Sequence, residues 1–107
     1  MYSFGEIVLV AGGAYTSKPR PVLVFQKTDY YTGESLIVVP FTTADNPEIE
    51  SRIKVEPTPK NNLRQKCFLE IDKLSAINVS YIGKSIGLLE EDVLSSAKNT
   101  ARDLLML

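Results

Sequence analysis

The 107-residue chain contains no histidine. That removes the side chain most used for acid–base catalysis near neutral pH and for binding metals. Any catalysis must therefore draw on Arg, Lys, Asp, Glu, Tyr, Thr, Ser or the one cysteine. Cys67 is that cysteine, so no internal disulfide can form, which fits a reducing compartment. Charge of one sign is lacking too, since 12 Lys and Arg stand against 13 Asp and Glu. Without a bulk cationic field, any nucleic-acid contact must rest on a local patch. No apolar run approaches the roughly 20 residues of a membrane helix. The opening MYSFGE lacks the basic and apolar regions of a signal peptide. The expectation is a cytosolic protein with no membrane partner.

What is present reads as one domain, 1–107. The chain is 44% hydrophobic and 23% charged, the balance of an ordinary soluble globule. At this length roughly 60–70% of the unfolded surface can be buried, enough for one modest core.

Along the chain, Gly5 to Val10 (GEIVLV) predicts a first strand buried on both faces. Ala11 to Ser17 (AGGAYTS) predicts a loop. Lys18 to Pro21 (KPRP) is a basic, proline-braced tip leading into a second strand, Pro21 to Lys27. Thr28 to Ser35 is turn-rich, with Gly33 expected at positive φ. Leu36 to Pro40 predicts a third strand ended by Pro40, followed by a loop from Phe41 to Glu50. Arg52 to Glu56 alternates charged and apolar residues, as a half-exposed strand does. After the loop Pro57 to Arg64, Cys67 to Asp72 predicts a fifth strand, with Phe68 and Glu70 on one face. A short strand is expected at Ser75 to Asn78. Val79 to Leu88 reads as turns around Gly83 and Gly87, with a strand at Lys84 to Ile86.

From Leu89 the pattern becomes helical. Glu90, Glu91 and Asp92 suit the positive end of a helix dipole. Val93, Ala97, Ala101 and Leu105 form an apolar stripe widened by Leu94 and Leu104, with Lys98 and Arg102 on the other side. Several strands followed by one helix, without βαβ alternation, predict a mostly antiparallel, strongly curved sheet: a small barrel or half-barrel.

Four segments, in order, resemble the MazF/PemK/Kid family of toxin endoribonucleases: GEIVLV, KPRPVLVFQ, LIVVPFTTA and the closing region from Leu63 to Leu89, ending IGKSIGLL. The resemblance spans almost the whole chain. It implies a mainly β fold, an SH3-like (CcdB/MazF/PemK-type) antiparallel barrel with a C-terminal α-helix, acting as a homodimer. It implies cleavage of single-stranded RNA without metal or cofactor, by 2′-OH attack giving a 2′,3′-cyclic phosphate and a 5′-OH end. It also implies inhibition by a cognate antitoxin, whose extended acidic segment competes for Arg20. Residue by residue, the family's catalytic arginine matches Arg20. Its strand-end threonine matches Thr42, with Thr43 as the one-residue-shifted option. An acid proposed as a base in some members matches Asp72. The chain departs from the pattern in its acid-free first loop and in Glu70 and Ser75, where some members carry basic residues.

Each of these residues also has a plainer reading. Arg20 would serve equally as a surface guanidinium paired with Glu70 or Asp72, and the threonines as turn hydroxyls. Functionally, a planar guanidinium grips a phosphate with two hydrogen bonds and stabilises charge developing on its oxygens. Asp72 or Glu70 would take the 2′-OH proton, or Arg20 would transfer it. Either acid, if buried near the other, would titrate closer to neutrality. Lys18, Arg64 and Lys66 are either solvated charges or a patch tracking the RNA backbone. Of the aromatics, Tyr15 is the favoured base-stacking residue because it sits beside Arg20. Tyr30, Tyr31, Tyr81 and Phe41 are weighed mainly as packing residues. The alternatives are a CcdB-like toxin without nuclease activity and an SH3-like binding module.

Overall fold

A computed structural model describes residues 2–12 and 16–107. Its strands are β1 (Glu6–Gly12), β2 (Thr16–Val24), β3 (Ser35–Thr42), β4 (Arg52–Val55), β5 (Cys67–Glu70), β6 (Ser75–Asn78) and β7 (Ile82–Leu88), and a single helix follows, α1 (Glu91–Leu104). The ladder runs β4-β5-β3-β2-β1-β7, with β6 also paired to β3, and every pairing is antiparallel. The expected mainly β fold with a C-terminal helix is present. The barrel does not close by hydrogen bonding: among the described residues no ladder joins β6 to β7, and the 3-10 turn Val79–Tyr81 lies between them in the chain.

The apolar runs of β1 and β5 become strands packed on both faces, whereas β3 leaves Ile37 exposed. Alternation along β1 sends Ile7 to one side and Val8 and Val10 to the other. On the first side Ile7, Leu23, Val39, Leu69 and Ile71 meet Leu94, Ala97 and Ala101 of α1. On the second, Val8, Val10, Val22, Val24, Leu36, Val38 and Ile77 form a smaller core, flanked by Tyr2 and Tyr31 packed edge to face at 5.7 Å.

Five boundaries differ from the sequence expectation. First, β1 runs on to Gly12 and β2 already begins at Thr16, so the KPRP segment lies inside a strand instead of preceding one. Second, β3 continues through Pro40 to Thr42. On one edge β3 pairs with β6 as far as Val38 and with β5 from Phe41. Pro40, which has no N–H, falls where that edge changes partner. Third, β5 stops at Glu70, and Asp72 sits on the 3-10 turn Ile71–Lys73. Fourth, β7 runs straight through Gly83 and Gly87. A Cβ on Gly87 would lie 2.6 Å from the carbonyl oxygens of both Lys60 and Asn61. Gly87 is thus a site of close backbone approach, a second meaning of glycine in a strand. Gly33 does take positive φ, at 85°. Fifth, α1 ends at Leu104, and Leu104 and Leu105 are about half exposed, so the apolar stripe leaves the sheet one turn early. Lys98 reaches back over the Phe4 ring, 5.4 Å from its centroid, a contact worth about 0.5–1 kcal/mol.

The 56–64 loop is held by side chains. Fully buried Asn61 donates from Nδ2 to Glu56 O and Glu90 Oε1, both at 2.9 Å. Its Oδ1 accepts from the amides of Thr58 and Leu63 at 3.0 Å. Thr58 Oγ1 donates to Glu90 Oε2 at 2.6 Å. Burial raises the Glu90 pKa, but the hydrogen bonds from Thr58 and Asn61 outweigh it and leave the carboxyl below its usual range.

Candidate functional site

The sheet brings the predicted residues to neighbouring strands. Val22 on β2 pairs with Pro40 on β3. Arg20 and Thr42 each lie two residues beyond that pair, at the same end and on the same face of their strands. On β3's other edge Thr42 pairs with Phe68, which pairs in turn with Lys54 of β4. Glu70, two residues along β5, pairs with Arg52. One face of four strands thus carries Arg20, Thr42, Phe68 and Lys54, with Glu70 and Arg52 beside them.

Arg20 is exposed, and among the described residues it has no ion pair. Val10 of β1 is its ladder partner. The two prolines around it fix their own backbone angles and restrict the residues before them, which stiffens the middle of β2. Thr42 is half-buried at the last position of β3, where its hydroxyl oxygen accepts from the Ala44 amide at 3.2 Å. The hydroxyl proton stays available to donate. Thr43 is exposed and lies past the strand.

Asp72 and Glu70 are engaged elsewhere. Arg52 Nε donates to Asp72 Oδ1 at 2.9 Å and Nη2 donates to Asp72 Oδ2 at 3.4 Å. The same Nη2 lies 3.2 Å from Glu70 Oε2, and Lys73 Nζ lies 3.3 Å from that oxygen. The Arg52 and Glu70 side chains are only 8% and 9% exposed, while Asp72 is 32% exposed. The hydrogen bond from Arg52 pulls the Asp72 pKa down, and partial burial does not reverse it. At Asp72 this is the reverse of the expected rise towards neutrality, because a guanidinium sits against the carboxylate. It also corrects the plain reading of Arg20, since Arg52 is the partner both acids take.

Lys18, Arg64 and Lys66 are exposed, Lys66 two residues before Phe68. Tyr15 lies outside the described residues. Tyr31 packs on the smaller core and Phe41 on the larger one, whereas Tyr30 is 72% exposed. Burial, with the charge of Glu56, pushes the Cys67 thiol up to about 11. At neutral pH it is a buried thiol and a poor nucleophile.

Arg52 is the residue that sequence reasoning missed. The alternation in RIKVE placed it on a polar face, but only the pairing of β4 with β5 shows which acids it meets.

Residues 3–105 match the family described as PemK-like, MazF-like toxin of type II toxin-antitoxin system. The chain is 42% identical over 88 residues, 81% of each chain, to a protein of Mycolicibacterium smegmatis named "Probable endoribonuclease MazF". The fold is that of the MazE-MazF crystal structure from Deinococcus radiodurans, with a TM-score of 0.80 at 17% identity, covering 99% of this chain and 97% of that one. It is also that of Mycobacterium tuberculosis toxin MazF-mt6, with a TM-score of 0.73 at 22% identity, covering 94% and 97%. No helix among the described residues is long and apolar enough to cross a membrane.

Proposed function

The chain belongs to the family of PemK-like, MazF-like toxins of type II toxin–antitoxin systems, and we propose from that membership and from the free guanidinium of Arg20 that it is an endoribonuclease. Its substrate is single-stranded RNA in the cytoplasm, and a cognate antitoxin neutralises it. Like its relatives by name, it is a toxin whose activity must be held in check, and we assign it a homodimeric state.

RNA carries its own nucleophile, so the protein's task is alignment and charge stabilisation. The 2′-OH oxygen bonds to phosphorus as its proton passes to solvent water. The bond from phosphorus to the 5′ oxygen breaks, and that oxygen takes a proton from water. The products are a 2′,3′-cyclic phosphate and a 5′-OH end. Arg20 grips the non-bridging oxygens with two charge-assisted hydrogen bonds, which strengthen as charge builds on them. Thr42 donates its hydroxyl proton to the same phosphate from the adjacent strand. Asp72, held ionised with a lowered pKa, makes a weak base. We assign Asp72 and Glu70 to holding Arg52, not to taking the proton. Arg64, Lys66 and Lys18 supply a local cationic track for the backbone.

The observation that carries this reading is an exposed arginine, braced mid-strand by two prolines and without an ion pair among the described residues, inside the segment that resembles the family's. Purified protein incubated with a long single-stranded RNA in EDTA tests it by mapping the cut ends. Cleavage that persists in EDTA and vanishes in Arg20→Ala is expected. Intact RNA across several diverse sequences, or full activity in Arg20→Ala, would overturn it.

A further inference from the structure

An open groove of about 380 Å³ lies beside Arg20, within the roughly 300–1,000 Å³ range of ligand sites. Its walls include Pro19, which precedes Arg20 in the chain, and Val10, which is Arg20's ladder partner. Ile82, the partner of Val10 on β7, extends the wall, and Leu9, Tyr81 and Lys84 complete it.

Tyr81 ends the 3-10 turn Val79–Tyr81, whose start is fixed by Asn78 accepting from the Ser80 amide at 2.9 Å. A Cβ on Gly12 would sit 3.4 Å from Tyr81 Cδ1, so the ring is propped against the end of β1. The residue is nevertheless 38% exposed. Lys84 is exposed, and among the described residues it makes no ion pair. An apolar trough with a propped aromatic ring and a free ammonium suits one nucleotide: the ring stacks on a base of any identity, and the ammonium meets its phosphate.

We propose that this groove binds the nucleotide flanking the scissile phosphate, with Tyr81 as the stacking platform and Lys84 as the backbone contact. The proposal rests on the placement of the scissile phosphate at Arg20. Arg20 and the groove are one strand apart, since Val10 pairs with Arg20 on one side and with Ile82 of the groove wall on the other, so a nucleotide next to the one held at Arg20 is within reach of it. The groove therefore influences which sites are cut, while the charge stabilisation at phosphorus stays with Arg20.

The test uses the full chain and a long single-stranded RNA, with every cut end sequenced, for wild type, Tyr81→Phe, Tyr81→Ser and Lys84→Gln. Thermal melts and sizing columns accompany each variant. Tyr81→Phe should keep the site profile. Tyr81→Ser should raise KM about tenfold, leave kcat within about twofold and alter base preference at one position beside the cut. Lys84→Gln should raise KM about threefold and flatten its salt dependence. A readout independent of cleavage comes from RNA bearing 4-thiouridine, photo-crosslinked to Arg20→Ala protein, with the adduct expected on the peptide carrying Tyr81. An unchanged KM and profile in a normally melting Tyr81→Ser would overturn the proposal. So would adducts that avoid that peptide, which also decides the matter if Tyr81→Ser fails to fold. A Tyr81→Ser protein that changes only its oligomeric state would make the groove a protein contact and overturn it too. Full cleavage by Arg20→Ala would instead sink the Arg20 assignment, leaving the adduct to judge the groove.

Discussion

Arg20 and Arg52 lie on one sheet face, three strands apart along β2, β3, β5 and β4. Arg20 is exposed and meets no acid among the described residues, while Arg52 is 8% exposed and held by Glu70 and Asp72. The same guanidinium is a ligand grip in one setting and a structural tie in the other. What separates them is where the acids fall: β5 and its following turn place both carboxylates beside β4, out of Arg20's company. The conformational cost of binding a phosphate is low at Arg20, whose stretch of β2 is already stiffened by two prolines and whose donors hold no acid among the described residues.

The comparison predicts opposite outcomes for the two arginines. Arg20→Ala should lower the rate of RNA cleavage by about 100- to 1,000-fold, the usual cost of removing one donor from a developing oxyanion, while its thermal midpoint stays within about 2 °C of wild type. A large fall in that midpoint would break the distinction. Arg52→Ala should show the reverse. Its pairing lies between an exposed bridge, worth under about 1 kcal/mol, and a fully buried one, whose breakage costs about 3–5 kcal/mol. A loss of about 2 kcal/mol is therefore expected in urea titrations, with kcat changing less than the rate in Arg20→Ala.

Asp72→Asn sharpens the point through pH. Because the folded-state pKa is lowered, the ionised carboxylate contributes stability that is present above the unfolded value of about 3.9 and lost as pH falls through the folded one. Wild type should exceed Asp72→Asn by under about 1 kcal/mol at pH 7, partial exposure screening the pair. The gap should close below about pH 4, as followed by urea unfolding at each pH. An acid limb of kcat near neutrality that disappears in Asp72→Asn would restore Asp72 as the base. The smallest effect is expected at Lys66→Gln: RNA affinity should fall about two- to threefold, with a shallower dependence on salt. Filter binding at several salt concentrations would measure it, and an unchanged slope would remove Lys66 from the RNA path.

Much of this was legible in the chain. The all-apolar runs announced strands buried twice over, and the acidic start and apolar spacing announced α1. Arg20 between its two prolines and the Thr42-Thr43 pair could be singled out from the chain, but their places, Arg20 in the middle of β2 and Thr42 as the last residue of β3, could not. Less legible were the boundaries around Pro40, Asp72 and Gly87. A proline can end a strand or mark where its edge changes partner, and a glycine can turn the chain or admit another backbone. In each case the deciding contact comes from residues far away in sequence.

By itself, then, the sequence determined the element types, the two-faced burial of the first strand, the absence of histidine chemistry and an arginine braced between two prolines, because those follow from side-chain type and local spacing. The tertiary structure alone decided that Arg52 takes both acids and that Gly87 seats the 60–61 backbone. It also decided that Pro19, Val10 and Tyr81 enclose a groove. Those depend on strand pairing between distant segments, which a repeat of two residues does not encode.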